Sequence, residues 1–432
     1  MIGRRPRPRR AAPASRWAII PLLALVTASC DVLNSGLDVT APDKIETKTL
    51  QTPENAQLLL NGAIGDFECA YGAFVVVGGL MSGELLETTQ TAARWSLDRR
   101  DADPSETLYS TGTCEGLGTY TPISVARGSA DNVLTLLSGW TDQQVPDRTR
   151  LRATAEAYAG YSRILLGELF CEAAIDGGPR LSSADLFAQA EERLTSAITD
   201  ARAAADANIL NFALVGRARA RLDKGDKAGA ATDAALVPAG FVYNMTAEIA
   251  PDRRSNRVYA QSNGRVVSVA AAYRHLTVNG ASGSTIADPR VRVQDAGRDA
   301  SDNQTPMFAQ TKYATGNTPI PIASYVEAQL ILAEATGGAP GLAILNALRA
   351  GVGIGPIQGA DIANLGPTIV QERARWLFLE GQHLFDTRRF NTALTPVPGT
   401  PYSIVYAKGG SYGSERCFPI PNVEVLNNPN AS

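Results

Sequence analysis

Apolar side chains recur at helical spacing through the centre of the chain. Leu151, Ala155, Tyr158, Ile164 and Leu165 lie on one face of a long helix predicted over Arg148 to Leu169. A second helix is expected from a cap at Ser183 through Phe187, Ala190, Leu194 and Ile198. Phe212 to Leu222 is a third, Gly225-Asp226 turns the chain, and Lys227 to Leu236 is a fourth, ended by Pro238. A helix, a Gly-Asp turn and an Ala-rich helix make a tetratricopeptide-like hairpin, in which Ala218, Ala230 and Ala234 let the helices approach. The repeat consensus is matched loosely, so the pattern predicts helical hairpins, not a regular solenoid. The expected fold class is mainly α, with long loops and few short strands.

Other stretches are less periodic. A helix is expected after Pro53, with Ala56, Leu59, Leu60 and Ala63 on one face. Residues 65–125 are rich in Gly and Thr, which predicts one or two helices joined by long loops. Residues 241–321 read as a second loop-dominated excursion, with β-prone pieces such as Arg265 to Val269. Helices resume over Ser324 to Ala335 and Gly341 to Ala350. A last long one is predicted over Thr368 to Phe390, uninterrupted by Gly381. The tail, 401–432, reads as extended and proline-punctuated.

The first thirty residues carry a different pattern. Six arginines, from Arg4 to Arg16, precede an apolar run from Trp17 to Val26, then small residues, then Cys30. That order is an export signal with a small-residue cleavage site. A cysteine right after the site marks a bacterial lipoprotein, so residues 1–29 are expected to be removed and Cys30 acylated. The run is too short for a permanent span, which needs about 20 apolar residues. Asp31 to about Thr49 reads as a polar tether, and residues 50–432 as a single domain.

Loss of the leader leaves 34 Lys+Arg against 43 Asp+Glu and moves the formal charge from −3 to −9. An acidic chain does not seek nucleic acid or anionic lipid by electrostatics. Four cysteines remain, Cys69, Cys114, Cys171 and Cys417, and an even number in an exported protein predicts two disulfides. Three pairings are possible; the favoured one joins Cys69 to Cys114, within one Gly- and Tyr-rich region, and Cys171 to Cys417.

Three segments of the second half resemble motifs of the SusD/RagB family of outer-membrane nutrient-binding lipoproteins. YVEAQLILAEA, from Tyr325 to Ala335, is similar to its EAxLIxAEA helix. ERARWLFLEGQHLFDTRR, from Glu372 to Arg389, resembles its ERxxELxxEGxRxxDLRR signature, with Trp376 and His383 where Glu and Arg are usual. Phe418-Pro419-Ile420-Pro421, with Glu424 and Asn428-Pro429, resembles the closing PIPxxExxxNP. Gly167-Glu168-Leu169-Phe170 is similar to a further element. The resemblance implies a SusD-like fold, anchored by lipid at the outer membrane and exposed at the cell surface. It also implies a glycan or other nutrient as ligand, and a SusC-like TonB-dependent transporter as partner. Outer-membrane placement rests on it alone. Glu372, Arg373, Glu380, Asp386, Arg388 and Arg389 are expected to lie along one helix in structural roles, in ion pairs and in contacts to neighbouring helix ends.

Nothing in the chain points to catalysis. His275 and His383 are the only histidines, no nucleophile elbow or HExxH accompanies them, and no phosphate loop follows a strand. No metal or cofactor is expected. Glu84 with Glu87, or Asp98 with Asp101, could be imagined as acid and base, but a surface helix explains them without chemistry. Aromatic residues favour binding instead, since rings stack on the flat faces of sugars while polar neighbours take the hydroxyls. The candidates are Trp95, Tyr71, Tyr109 and Tyr120, with Arg94 and Asp98 beside Trp95. The alternative is an exported helical-repeat adaptor that scaffolds other envelope proteins.

Overall fold

The computed structural model describes residues 47–249, 253–402 and 408–431. The leader, Cys30 and most of the tether lie outside them. The chain divides into two units, Met1–Leu50 and Gln51–Ser432. The described part of the first is one helical turn, Thr47–Leu50.

The second unit is built on a 27-residue helix, α1 (Ala56–Ser82). Its first half alternates buried and exposed positions, and from Phe67 to Ser82 every residue is buried. Among the described helices, the segment Pro53–Ser82 alone is long and apolar enough to cross a bilayer, but it serves as the core of the fold. The loops expected over 65–125 therefore begin only after Ser82. Glycine misled the reading: Gly72 lies where a Cβ would come 2.9 Å from Arg257 Cγ, so it is there for close packing and not for a turn.

Further helices follow in sequence. They are α2 (Tyr120–Gly139), α3 (Arg148–Leu169), α4 (Ser183–Ala203), α5 (Ala207–Asp223), α6 (Lys227–Ala234), α7 (Tyr325–Thr336) and α8 (Gly338–Ala350). Each packs on the next, and α1 lies across α2 and α3. The Gly225-Asp226 turn is as expected: Gly225 takes φ 94° and the Asp226 carboxylate caps α6 by accepting from Gly229 N at 2.9 Å. The cap of α4 is Ser182, one residue earlier than expected. Ser182 and Asp185 exchange hydrogen bonds in a capping box.

Among the described residues, ten short strands pair as five antiparallel ribbons. They are β1 (Leu85–Glu87), β2 (Glu172–Ala174), β3 (Arg180–Ser182), β4 (Val242–Met245), β5 (Val267–Val269), β6 (Thr277–Asn279), β7 (Thr285–Ala287), β8 (Val293–Asp299), β9 (Pro306–Gln310) and β10 (Ile320–Ser324). β1 pairs with β5, β4 with β10, and the other three pairs are neighbours in sequence. The excursion 241–321 is thus a set of ribbons plus the helix Arg257–Asn263, and β1–β5 ties it to the segment after α1.

The last long helix is two: α9 (Gly366–Trp376) and α10 (His383–Arg389). Between them Leu379 takes φ 56° and Gly381 φ 84°. A Cβ at Gly381 would collide with the Phe74 ring, so this position needs glycine for two reasons at once. The break turns Leu379 N toward Glu84 Oε1 (3.1 Å) and Glu380 toward Lys312 (2.6 Å). The signature charges consequently lie on two helices and a link. Most pair outward: Glu372 meets Arg290 (2.6 Å) and Arg349 (2.7 Å), and Arg389 meets Glu334 (2.6 Å), while Asp386 and Arg389 also pair along α10 (2.7 Å). Arg373 and Asp386 join α9 to α10 at 2.7 Å. Arg388 donates to the Phe170 carbonyl at the end of α3 (3.3 Å).

Both disulfides have the favoured pairing. Cys171–Cys417 fastens the tail to the end of α3, where Phe170 and Phe418 form a parallel bridge. The tail is extended as expected except for one short helix, Asn422–Asn427.

Candidate functional site

Trp95 opens a short helix, Trp95–Arg99, directly after the loop that leaves β1. Its indole N–H donates to Thr89 O at 3.0 Å, which fixes the ring while leaving it half-buried. Arg94 is held on two sides: its guanidinium meets Glu87 at 2.9 Å and Gln261 Oε1 at 2.9 Å. The same loop is stitched to the excursion at its base. Thr88 Oγ1 donates to Arg265 O (3.0 Å), and Ser301 Oγ donates to Thr88 O (3.0 Å). The result is a rigid edge carrying an indole, a guanidinium and the Gln261 amide.

Under that edge lies a buried polar cluster. Asp98 accepts from Glu87 N (2.9 Å) and from Tyr402 Oη (3.2 Å), and burial pushes its carboxyl up to about 7. Lys408 Nζ donates to Glu87 O at 2.9 Å and lies 3.4 Å from Asp302. Gln261, Tyr402, Lys408 and Asp302 escaped the sequence reading because they come from distant segments with no shared motif.

The other candidates do not join Trp95. Tyr71, Tyr109 and Tyr120 are almost wholly buried and offer no ring face to a ligand. Each hydroxyl is used in the core: Tyr71 donates to Pro321 O (2.6 Å), Tyr109 to Pro419 O (3.3 Å), and Tyr120 accepts from Ala174 N (3.2 Å). Tyr109 stacks on Phe418 with ring centres 5.0 Å apart. Asp98 is likewise buried and acts beneath the edge, not on it.

The imagined carboxylate pairs are not on a surface helix either. Glu84 and Glu87 flank or end β1, and both are buried. Glu87 is taken by Arg94 and Thr89 N (2.9 Å), so neither it nor Asp98 is offered to a substrate. His275 packs against Phe308 and His383 against Tyr273. Among the described residues, Cys69, Cys114 and Glu115 alone have metal-ligand spacing, and their two sulfurs are joined in a disulfide that supplies no thiolate.

A cavity of about 540 Å³ lies elsewhere, between α9, α10 and the segment 392–395. It is lined by Tyr273, Gln371, Arg375 and His383 among others, and it does not include Trp95.

No protein-family model matches the sequence, and no curated protein matches it. Solved structures do. A SusD-like carbohydrate binding protein from Bacteroides vulgatus shares 18% identity, a TM-score of 0.64, and coverage of 88% of this chain and 97% of its own. A SusD superfamily protein from the same species gives 16%, 0.66, 88% and 98%. Surface glycan-binding protein A from Bacteroides uniformis gives 14%, 0.65, 88% and 99%. Across 88% of its length this chain has a SusD-like fold.

Proposed function

We propose that the protein binds a carbohydrate nutrient at the cell surface, without cleaving it, and hands it to a TonB-dependent outer-membrane transporter. The observation that carries the reading is Trp95, a partly buried indole fixed by its own N–H and flanked by Arg94 and Gln261. A locked ring loses little freedom when a sugar face stacks on it. Two proteins with the same fold are named as carbohydrate- or glycan-binding, which supports the same ligand class here. The commitment of Glu87 and Asp98 to internal partners argues against acid–base chemistry at this edge. Lipid attachment at Cys30 and the transporter partnership follow from the leader and from the resemblance of the motifs.

Trp95→Ala should weaken binding of oligosaccharides by about tenfold, read by calorimetry, with the melting temperature as a control for folding. Unchanged affinity would clear Trp95 of the role. Labelled palmitate should enter the wild type and not Cys30→Ser. A pull-down from solubilised membranes should retrieve a large β-barrel; retrieval of other envelope proteins instead would favour the adaptor reading.

A further inference from the structure

A second cavity, of about 520 Å³, lies where α1, α3, the start of α5 and β4 meet. It shares no residue with the Trp95 edge. Its volume falls within the range of sites that hold small ligands.

Its floor is glycine without a packing reason. A Cβ on Gly65 would meet nothing within 4 Å, whereas one on Gly72, two turns on, would press on Arg257. Glycine inside a helix costs about 1 kcal/mol relative to alanine. At Gly65 that cost leaves room above the helix and nothing else.

One wall is aromatic and held in place. Tyr161, Phe212 and Tyr243 form a parallel stack, with ring centres 4.3 and 3.9 Å apart. Tyr243, the last ring, lines the cavity, and its hydroxyl is 3.3 Å from that of Tyr158. The remaining wall is amide. Asn208 and Asn244 are exposed there, and among the described residues neither side chain hydrogen-bonds to the protein. A carboxamide offers donors and an acceptor side by side, which matches neighbouring hydroxyls on a sugar.

The formal charges of the lining cancel. Its single carboxylate, Glu68, is met by its single guanidinium, Arg254, at 3.0 Å. Such a lining gives an ionic ligand no net attraction, and it offers a polyhydroxylated neutral one many partners.

From the open glycine floor, the fixed Tyr243 ring and the two uncommitted amides, we infer that this cavity is a second subsite, for a neutral saccharide unit. The inference rests on the carbohydrate-binding function proposed above but places binding at a separate point on the molecule.

The test uses the full mature chain and soluble neutral probes: maltoheptaose, cellohexaose and mannohexaose, with oligogalacturonate as the acidic counterpart. Two variants address the cavity, Asn208→Ala/Asn244→Ala and Gly65→Gln, the second filling the space without removing a polar group. Each should lower affinity for a neutral probe by about tenfold, both in the wild type and in the Trp95→Ala background, with melting temperatures kept. Losses confined to Trp95→Ala, with both cavity variants binding as the wild type, would overturn the second subsite and leave the proposed function standing. A preference for oligogalacturonate that the cavity variants abolish would also overturn it, because the unit would then be acidic. Wild-type protein that binds none of the four would count against the carbohydrate function itself.

Discussion

At the scale of single residues, the buried charges carry the sharpest expectations. Arg219 and Glu327 are each about 2% exposed and meet through two hydrogen bonds of 2.6 and 2.8 Å. Removing one partner strands the other charge in a low dielectric. Glu327→Ala should therefore cost about 3–5 kcal/mol in urea unfolding. Glu84 presents the opposite problem. It is wholly buried, one carboxylate oxygen has no partner, and burial pushes it from 4.5 up to about 8. In the unfolded chain it loses its proton near 4.5, so between the two values the native state holds one proton more. Its contribution is full below about pH 4.5 and is lost as pH rises through about 8. Asp98 acts in the same direction, from 3.8 up to about 7. The urea midpoint should fall from pH 5 to pH 8, and Glu84→Gln should flatten that fall. A slope unchanged by the substitution would mean that other groups set it. Asp288 and Asp386, held below the usual carboxylate range by their arginine neighbours despite burial, act only at lower pH.

At the scale of elements, glycines divide by what their missing side chain would have met. In α5, a Cβ on Gly216 would stand 2.7 Å from the Tyr161 ring, which is sandwiched against Phe212 and cannot yield. In α1, a Cβ on Gly62 would meet nothing within 4 Å. Both substitutions to alanine gain helix propensity, worth about 1 kcal/mol. Overpacking costs about 1–3 kcal/mol and should win only at the first site. Gly216→Ala should lower the melting temperature, and Gly62→Ala should raise it; equal shifts would refute this division. The same distinction explains which helices could be read. Arg148 to Leu169 was legible to the residue, since polar residues such as Glu156 and Arg163 keep a helical period in its sequence, although every residue from Ala153 to Leu169 is buried. The second half of α1 was not, because from Cys69 to Met81 it holds no charged residue to mark a period and its glycines resemble turn signals. The break between α9 and α10 was hidden too, since its partners come from distant segments: Glu84 accepts from Leu379 N, Tyr313 donates to Leu379 O and Lys312 donates to Phe378 O.

At the scale of the whole molecule, the tail closes the structure. Cys171–Cys417 spans 246 positions, and Cys171 N and Phe418 N complete the bridge through hydrogen bonds of 2.9 Å each. Replacing both cysteines with serine should cost about 2–5 kcal/mol. Reducing agent should cost the wild type a similar amount or more, since Cys69–Cys114 opens as well. The double variant would then lose less on reduction than the wild type does. The fold presents the Trp95 edge on its ribbons and the Tyr243 cavity among its helices, so ligand contacts at the two places can be removed separately.

The sequence by itself determined the helical hairpins, the presence of two disulfides and the motif charges, because periodicity, parity and local turn chemistry are written in neighbouring residues; it favoured the disulfide pairing, which the structure decided. It also named Trp95 and Arg94, though only as members of a larger aromatic set. Tertiary structure alone decided that Tyr71, Tyr109 and Tyr120 are core, that Asp98 lies beneath the edge, and that Gln261 and Tyr243 face open space. The reason is physical: a tyrosine offers the same ring and hydroxyl to a buried carbonyl as to a sugar. Which of the two it meets depends on segments more than a hundred residues away, such as Pro321 against Tyr71 and Pro419 against Tyr109.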